Sequence, residues 1–413
     1  MSERVAITGI GCVSSFGIGY RAFIDAIGSG RSGIVPITRF DTAECRSHCA
    51  ATIRDFDPTA FFSPLKLRRV DAVGRVALAC TRLLFDDAGC TPDAGGRDDV
   101  GIALGTFTAG LDSLVEYLGG LTDHGPTGVP AILFSNTVSN APASLCAIEF
   151  GLRGPNVTFN QREASSLSAL VFSVGAIRQG RTAAMVTGGA DCVEETFFKV
   201  HDRFRALSPM RGERAGGAEA ARPFDRDRNG FILGEGGFLL LIESASAAAA
   251  RGARVYGEIV GVGATASKAA LNGWPADGAG LVTAMRLAMA DADLRADQIA
   301  AVIGTSNGSL ALDRQEADAI VEVFGSRSIP VASVKGAIGE SGASGAAGLI
   351  AGLLSIVGGA VVPTVGFLQP DPTLAVCVSR GPQPTRGEAF LVNSVASGGT
   401  NYSLVVRAAP GRS

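Results

Sequence analysis

Short, wholly apolar runs alternate along this chain with longer segments in which apolar positions return every three or four residues. Residues 5–10, 100–104, 184–187 and 238–242 are apolar on both alternating sets of positions, which predicts strands buried on two faces. Between the second and third runs, Leu167, Leu170, Val171, Val174 and Ile177 recur at helical spacing and predict a buried helix that begins beside Glu163. An alanine-rich stretch, 244–253, then separates this half from a second one built the same way. The second half predicts a strand at 255–262, a helix at 278–292, a strand at 300–303, helices at 313–324 and 345–357, and final strands at 389–392 and 402–406. Two halves rich in βα units, residues 1–250 and 251–413, suggest an internal duplication, and pattern alone gives an α/β protein with a mixed sheet.

One stretch competes with that picture. Residues 349–368 are almost uncharged, which would suit a membrane span, but Gly358, Gly359 and Pro363 break the run into a buried helix and an extended piece. Composition narrows the class further. With 413 residues, 46% hydrophobic residues, 55 glycines and only 18% charged residues, the chain can bury a large core and is not disordered. A net charge of −3 offers no electrostatic footprint for nucleic acid. The chain runs from Met1 almost directly into its first strand with no basic segment and apolar core ahead of it, so a cytoplasmic protein is expected.

The eight cysteines are scattered and predict no disulfide framework. Cys45, His48 and Cys49 cluster, but their spacing matches no zinc pattern, so neither a metal nor another cofactor is expected. The three histidines, His48, His124 and His201, read as surface or satisfied structural residues.

Five segments carry a more specific signal. They are RVAITGIGCVSSFGIG from Arg4, GLRGPNVTFNQREASSLSAL from Gly151, RPFDRDRNGFILGEGG from Arg222, SVKGAIGESGASGAAG from Ser333 and NSVASGGTNYSLVV from Asn393. Together and in this order they resemble the motifs of the β-ketoacyl-acyl carrier protein synthases, from one end of the chain to the other. The resemblance implies a thiolase-like fold, a duplicated five-layer αβαβα sandwich. It also implies where the chemistry should sit, and there the chain departs from the family.

Aligning Gly154-Pro155-Asn156 and Ser165-Ser166 without gaps puts Glu163 where the family has its nucleophilic cysteine. A thiolate at a helix start carries an acyl chain as a thioester, whereas a carboxylate would give a labile mixed anhydride. Glu163 is expected instead to satisfy donors at the helix start, or to pair with Arg162 or a partner's residue. The family's first imidazole falls at Thr305, when Asp313 and Glu316 are aligned, and its second at Glu340, after the retained Lys335 and Gly339. The phenylalanine gate beside the nucleophile falls at Ser397. The glycine and strand framework is kept while the reactive side chains are exchanged.

Among family branches, this profile is similar to the chain-length factors, catalytically silent subunits that pair with an active ketosynthase in type II polyketide synthases. The resemblance implies a heterodimer, an acyl carrier protein and a growing acyl or polyketide chain as partners, with no nucleic acid and no membrane. It points to a helix at 109–121 whose Leu111, Leu114 and Leu118 share one face and either shape the elongation tunnel or are ordinary core leucines. Thr108 and Leu133 match positions that line the acyl pocket in the family. Lys66, Arg68 and Arg69 either form a basic patch for the acidic carrier protein or a solvated helix face. The competing functional reading is an enzyme that decarboxylates malonyl-carrier protein or initiates chains with Glu163, and a third is a stand-alone acyl-binding module.

Overall fold

The computed structural model describes residues 3–90, 97–209, 219–385, 387 and 389–409. The N-terminal half supplies β1 (Val5–Ser14), α1 (Ala72–Ala88), β2 (Val100–Gly105), α2 (Leu111–His124), α3 (Ala141–Phe150), β3 (Asn156–Phe159), α4 (Ser165–Arg178), β4 (Ala184–Asp191), α5 (Glu195–Arg203) and β5 (Gly236–Ser244). The C-terminal half supplies β6 (Gly257–Ala266), α6 (Ala279–Asp291), β7 (Ile299–Ile303), α7 (Leu310–Phe324), β8 (Pro330–Ala332), α8 (Ser344–Val357), β9 (Ala389–Val395) and β10 (Thr400–Ala408).

The repeat inferred from pattern is present in the topology. Strands of the first half lie in the order β3-β2-β4-β5-β1, and those of the second in the order β8-β7-β9-β10-β6. Parallel and antiparallel pairs fall at corresponding places: β2 is parallel to β3 and β4, as β7 is to β8 and β9, and the last two neighbours are antiparallel in both halves. A short antiparallel contact, Val5 to Ile7 of β1 against Gly257 to Ile259 of β6, joins the halves into one hydrogen-bonded path.

Three apolar clusters define the layers. On one outer side α1 and α3 cover β2 and β4 through Val76, Leu84, Phe85 and Phe150. On the other, α6 and α7 cover β7, β9 and β10 through Met285, Leu312 and Ile320. Between the sheets lie α4 and α8, which bury Leu167, Leu170, Leu349 and Leu353 together with β1, β9 and β10 residues. These are the five layers of a thiolase-like sandwich.

Boundaries differ from the sequence expectation where packing intervenes. The first strand does not stop at its glycines but continues through them to Ser14. Gly9 and Gly11 sit where α1 crosses: a Cβ on Gly11 would lie 1.9 Å from the Cys80 carbonyl oxygen. The uncharged stretch at 349–368 divides as expected into the end of α8, a turn with Gly359 at φ 77°, and an extended pair at Ala360–Val361. Among the described residues no helix is long and apolar enough to cross a membrane, and no cluster of three or more His, Cys, Asp or Glu could hold a metal.

Candidate functional site

Glu163 lies in a tight turn, Arg162–Ala164, between β3 and α4. The corner is held closely. Arg162 takes a left-handed φ of 52°, Ser165 Oγ donates to the Arg162 carbonyl at 2.6 Å, and the Ser166 N–H donates to the Gly342 carbonyl at 2.9 Å. Strand β2 reaches this corner at Gly105, where a Cβ would come within 2.3 Å of the Ser165 carbonyl carbon.

The Glu163 side chain is 4% exposed, and its partner is neither a helix N–H nor Arg162. It accepts the Ser397 N–H at 3.0 Å and the Ser397 hydroxyl at 3.1 Å, so residues from opposite halves of the duplication meet here. The reason is geometric: the turn points its carboxylate across to the loop between β9 and β10, while the Arg162 guanidinium donates to Ser397 Oγ at 2.9 Å and to Asn272 Oδ1 at 2.5 Å. A buried carboxylate without such donors would be costly, and here the carboxylate and a guanidinium converge on one serine.

Thr305 and Glu340 belong to a second polar group behind this corner. Asp313 and Glu316, one turn apart on α7, hold the loop after β7 by its backbone. Glu316 accepts the Thr305 and Ser306 N–H groups at 2.9 and 2.7 Å, and Asp313 accepts those of Asn307 and Gly308 at 3.1 and 3.2 Å. Burial pushes the Asp313 carboxyl up to about 7. In front of this loop Glu340 pairs with Lys335 Nζ at 2.8 Å and accepts from Asn307 Nδ2 at 2.7 Å, and Lys335 also donates to Thr305 Oγ1 at 3.2 Å. All four side chains are buried. Burial raises the Glu340 carboxyl above its ordinary range more strongly than Lys335 draws it down. The side-chain polar atoms of Thr305, Asn307, Lys335 and Glu340 are therefore committed to other protein groups.

A pocket of about 500 Å³ opens in front of Glu163. Glu163, Arg162 and Ser397 form its polar end, and Phe107, Phe197, Phe231 and Trp274 are among its walls. Of the residues expected to shape a tunnel, only Leu111 lines it. Thr108 does not open this space: its hydroxyl is held by Asp191 Oδ1 at 3.0 Å and the Cys192 carbonyl at 2.9 Å, beside a void of only about 10 Å³. Leu133 is half-buried in the short helix Ala131–Phe134, outside the pocket lining.

The leucines of α2 are not core leucines in this chain either. Ser113 is the only buried residue of α2, Leu114 is half-buried, and Leu118 is 48% exposed. Val115, Leu121, Ile132, Phe134 and Val138 are exposed beside them. In the basic segment Lys66, Arg68 and Arg69 are all exposed, and Lys66 is paired with Glu149 at 2.5 Å.

His201 was expected to be a surface or satisfied structural histidine, and its Nδ1 does bond the Phe197 carbonyl oxygen at 2.8 Å. It lines the pocket, ringed by Phe197, Phe107 and Phe231 at centroid distances of 4.2, 6.0 and 6.0 Å. The signal was available in the spacing of Phe197, His201 and Phe204 along α5, which puts aromatic and imidazole rings on one stripe. His48 donates its backbone N–H to Glu219 and sets its ring against Thr42, and His124 ends α2 exposed.

Comparison with known proteins agrees with the architecture. A family model described as β-ketoacyl synthase, N-terminal domain, matches residues 2–247, and one for the β-ketoacyl synthase C-terminal domain matches residues 256–368. The ketoacyl synthase alpha subunit of the tetracenomycin polyketide synthase from Streptomyces glaucescens is 34% identical over 90% of this chain and 88% of its own length. The 3-oxoacyl-[acyl-carrier-protein] synthase 2 of Vibrio harveyi is 31% identical over 98% of both chains. Among solved structures, the ishigamide ketosynthase/chain length factor superposes with a TM-score of 0.88 at 30% identity, covering 99% of this chain and all of that one.

Proposed function

The chain belongs to the β-ketoacyl synthase family, and we propose that within it the protein acts as a chain-length factor: a catalytically silent subunit that pairs with an active ketosynthase and shapes the space in which an acyl or polyketide chain grows. The observation that carries this reading is the Glu163 carboxylate, which occupies the nucleophile corner with its oxygens held by Ser397. Around it, Thr305 and Glu340 stand where condensation would need two neutral imidazoles, and both are tied to Lys335. A thiolate and an enolate-stabilising pair are both missing from the described corner.

Two surface features support a partner. The apolar side chains of α2 and of Ala131–Phe134 are too contiguous for an isolated soluble surface, with Tyr117 and Phe134 in ring contact at 6.1 Å and Leu118 exposed between turns. Strand β3 ends the sheet path, leaving an edge that a second chain can cover. The ishigamide structure, described as a ketosynthase with a chain length factor, supplies a precedent for the pairing. An acyl carrier protein then delivers the chain, and the exposed Lys66, Arg68 and Arg69 offer it a basic face on this subunit. The division into halves at about residue 250 separates the altered nucleophile corner from the residues that close it.

The test is to purify the chain alone and with a candidate ketosynthase that carries cysteine and two histidines in these motifs. The expected results are a stable one-to-one complex, no condensation by the lone chain, and shorter or longer products when Leu111, Leu114 or Leu118 is changed to Ala. Condensation by the lone chain would overturn the reading. Release of CO2 from malonyl-carrier protein by the lone chain, abolished by Glu163→Ala, would replace it with decarboxylation. A well-behaved lone protein that ignores every such partner would favour an acyl-binding module.

A further inference from the structure

Among the side chains that line the pocket, His201 carries a ring nitrogen with no hydrogen-bond partner among the described residues. His201 Nδ1 lies 2.8 Å from the Phe197 carbonyl oxygen. A carbonyl only accepts, so the proton sits on Nδ1 and Nε2 is left with a lone pair. Burial lowers the pKa of this imidazole, against a weaker opposing pull from that same hydrogen bond, so the neutral tautomer prevails at neutral pH. Nε2 has no hydrogen-bond partner among the described residues.

The charged groups at the pocket's polar end are already occupied. Glu163 accepts from Ser397, and Arg162 donates to Ser397 and Asn272. His201 Nε2 is thus a free acceptor set in an aromatic wall, with Phe107, Phe197 and Phe231 around the ring. A saturated chain pushed against that wall would strip water from Nε2 and return nothing, which costs affinity. A flat ligand with a hydroxyl would stack on the rings and donate to Nε2.

We propose that the pocket in front of Glu163 is a binding site for a planar phenolic or enolic ligand whose hydroxyl donates to His201 Nε2, and that His201 selects such ligands over hydrocarbon chains of the same size. This goes beyond the silent-subunit reading and does not depend on it, because every group involved lies on this one chain.

The probes are 4-cyclohexylphenol and its methyl ether, which lacks the donor and adds one methyl group, so any apolar gain on the ether works against the expected preference. Trp274 is the chain's only tryptophan and lines the pocket, so its emission reports binding directly, with calorimetry as a second readout. The phenol should bind about three- to tenfold more tightly than the ether, the range expected of one neutral hydrogen bond. His201→Phe, which keeps the aromatic wall and removes the acceptor, should bring the two within about twofold. Equal affinities in the unaltered protein, a preference that survives His201→Phe, or no binding of either probe would each overturn the proposal. The comparison of the two probes on the unaltered protein needs no variant to fold. Binding with the expected preference but no ketosynthase association would leave this proposal standing and remove the chain-length reading.

Discussion

The polar cluster around Lys335 and the surface of α2 are opposite in character. Around Lys335, every charged or amide group finds a partner inside the chain: Glu340 with Lys335 and Asn307, and Glu316 with Thr305, Ser306 and Asn393. Along α2, apolar side chains that would normally be covered are left to solvent. The Lys335–Glu340–Asn307 cluster is internally paired and the face of α2 is not. Buried polar groups must be satisfied within the fold or the fold fails, whereas an apolar face can wait for a second chain. The contrast therefore separates what this protein does alone from what it does with a partner.

The largest expected effect breaks the interior side. Lys335→Ala leaves Glu340 as an uncompensated buried carboxylate and should destabilise the lone chain by about 3–5 kcal/mol, read by chemical denaturation. Adding Glu340→Leu removes the stranded charge and should recover much of that loss. Recovery stays incomplete because Asn307 Nδ2 then lacks its acceptor, a cost of about 1–3 kcal/mol. If the single variant were as stable as the parent, the cluster would not be the self-contained unit described.

The next effect acts on the outside alone. Leu118→Asp puts a charge in the exposed face and should change the stability of the isolated chain by no more than about 0.5 kcal/mol, as for other surface substitutions. Association with the partner ketosynthase should fall by at least about tenfold, since a desolvated unpaired charge in an interface costs more than 1.4 kcal/mol. Analytical ultracentrifugation of both variants against the same partner separates the two outcomes. Equal association would mean that α2 is covered by something else.

How much of this was legible in the sequence follows the same division. The central helices α4 and α8 and the strands beside them were readable because they are apolar on all sides, and the equivalent order of the two halves follows from repeating that pattern. Glu163, Thr305 and Glu340 were assigned by aligning glycines and the Asp313–Glu316 pair, and that pair does hold the backbone at Thr305 and Asn307. The partner of Glu163 was not readable. Ser397 is 234 positions away, and only the meeting of the two halves brings it to the carboxylate. Thr108 was misleading because it was matched to a position lining the family's acyl pocket, while its hydroxyl is bonded to Asp191. His201 escaped notice although its spacing from Phe197 was visible, because that stripe gains its meaning only when α5 packs over the pocket.

A smaller change tests the bridge between halves. Glu163→Ala strands the Ser397 N–H and should cost about 1–3 kcal/mol, while Glu163→Gln keeps an acceptor oxygen and should cost less than the alanine change. Thermal unfolding of the two variants in parallel gives the order. If Gln were the worse of the two, the negative charge and not the hydrogen bond would hold the corner.

The smallest effect concerns pH and lies between the two regions, at the pocket wall. Burial lowers the folded-state pKa of His201, with Glu163 acting to raise it and Arg162 to lower it from the facing turn, and with Lys199, Asp202 and Arg203 on its own helix. A base whose pKa is depressed on folding contributes stability that is complete above its unfolded value and is lost as pH falls through the folded one. The parent should therefore lose stability on acidification below roughly pH 7 more steeply than His201→Phe, because the carboxylates that titrate as the pH falls are common to both. The difference between the two denaturation profiles isolates the imidazole. Parallel profiles would mean that the ring takes up its proton in the folded state without penalty, and the pocket wall would then be more open to water than the aromatic ring contacts imply.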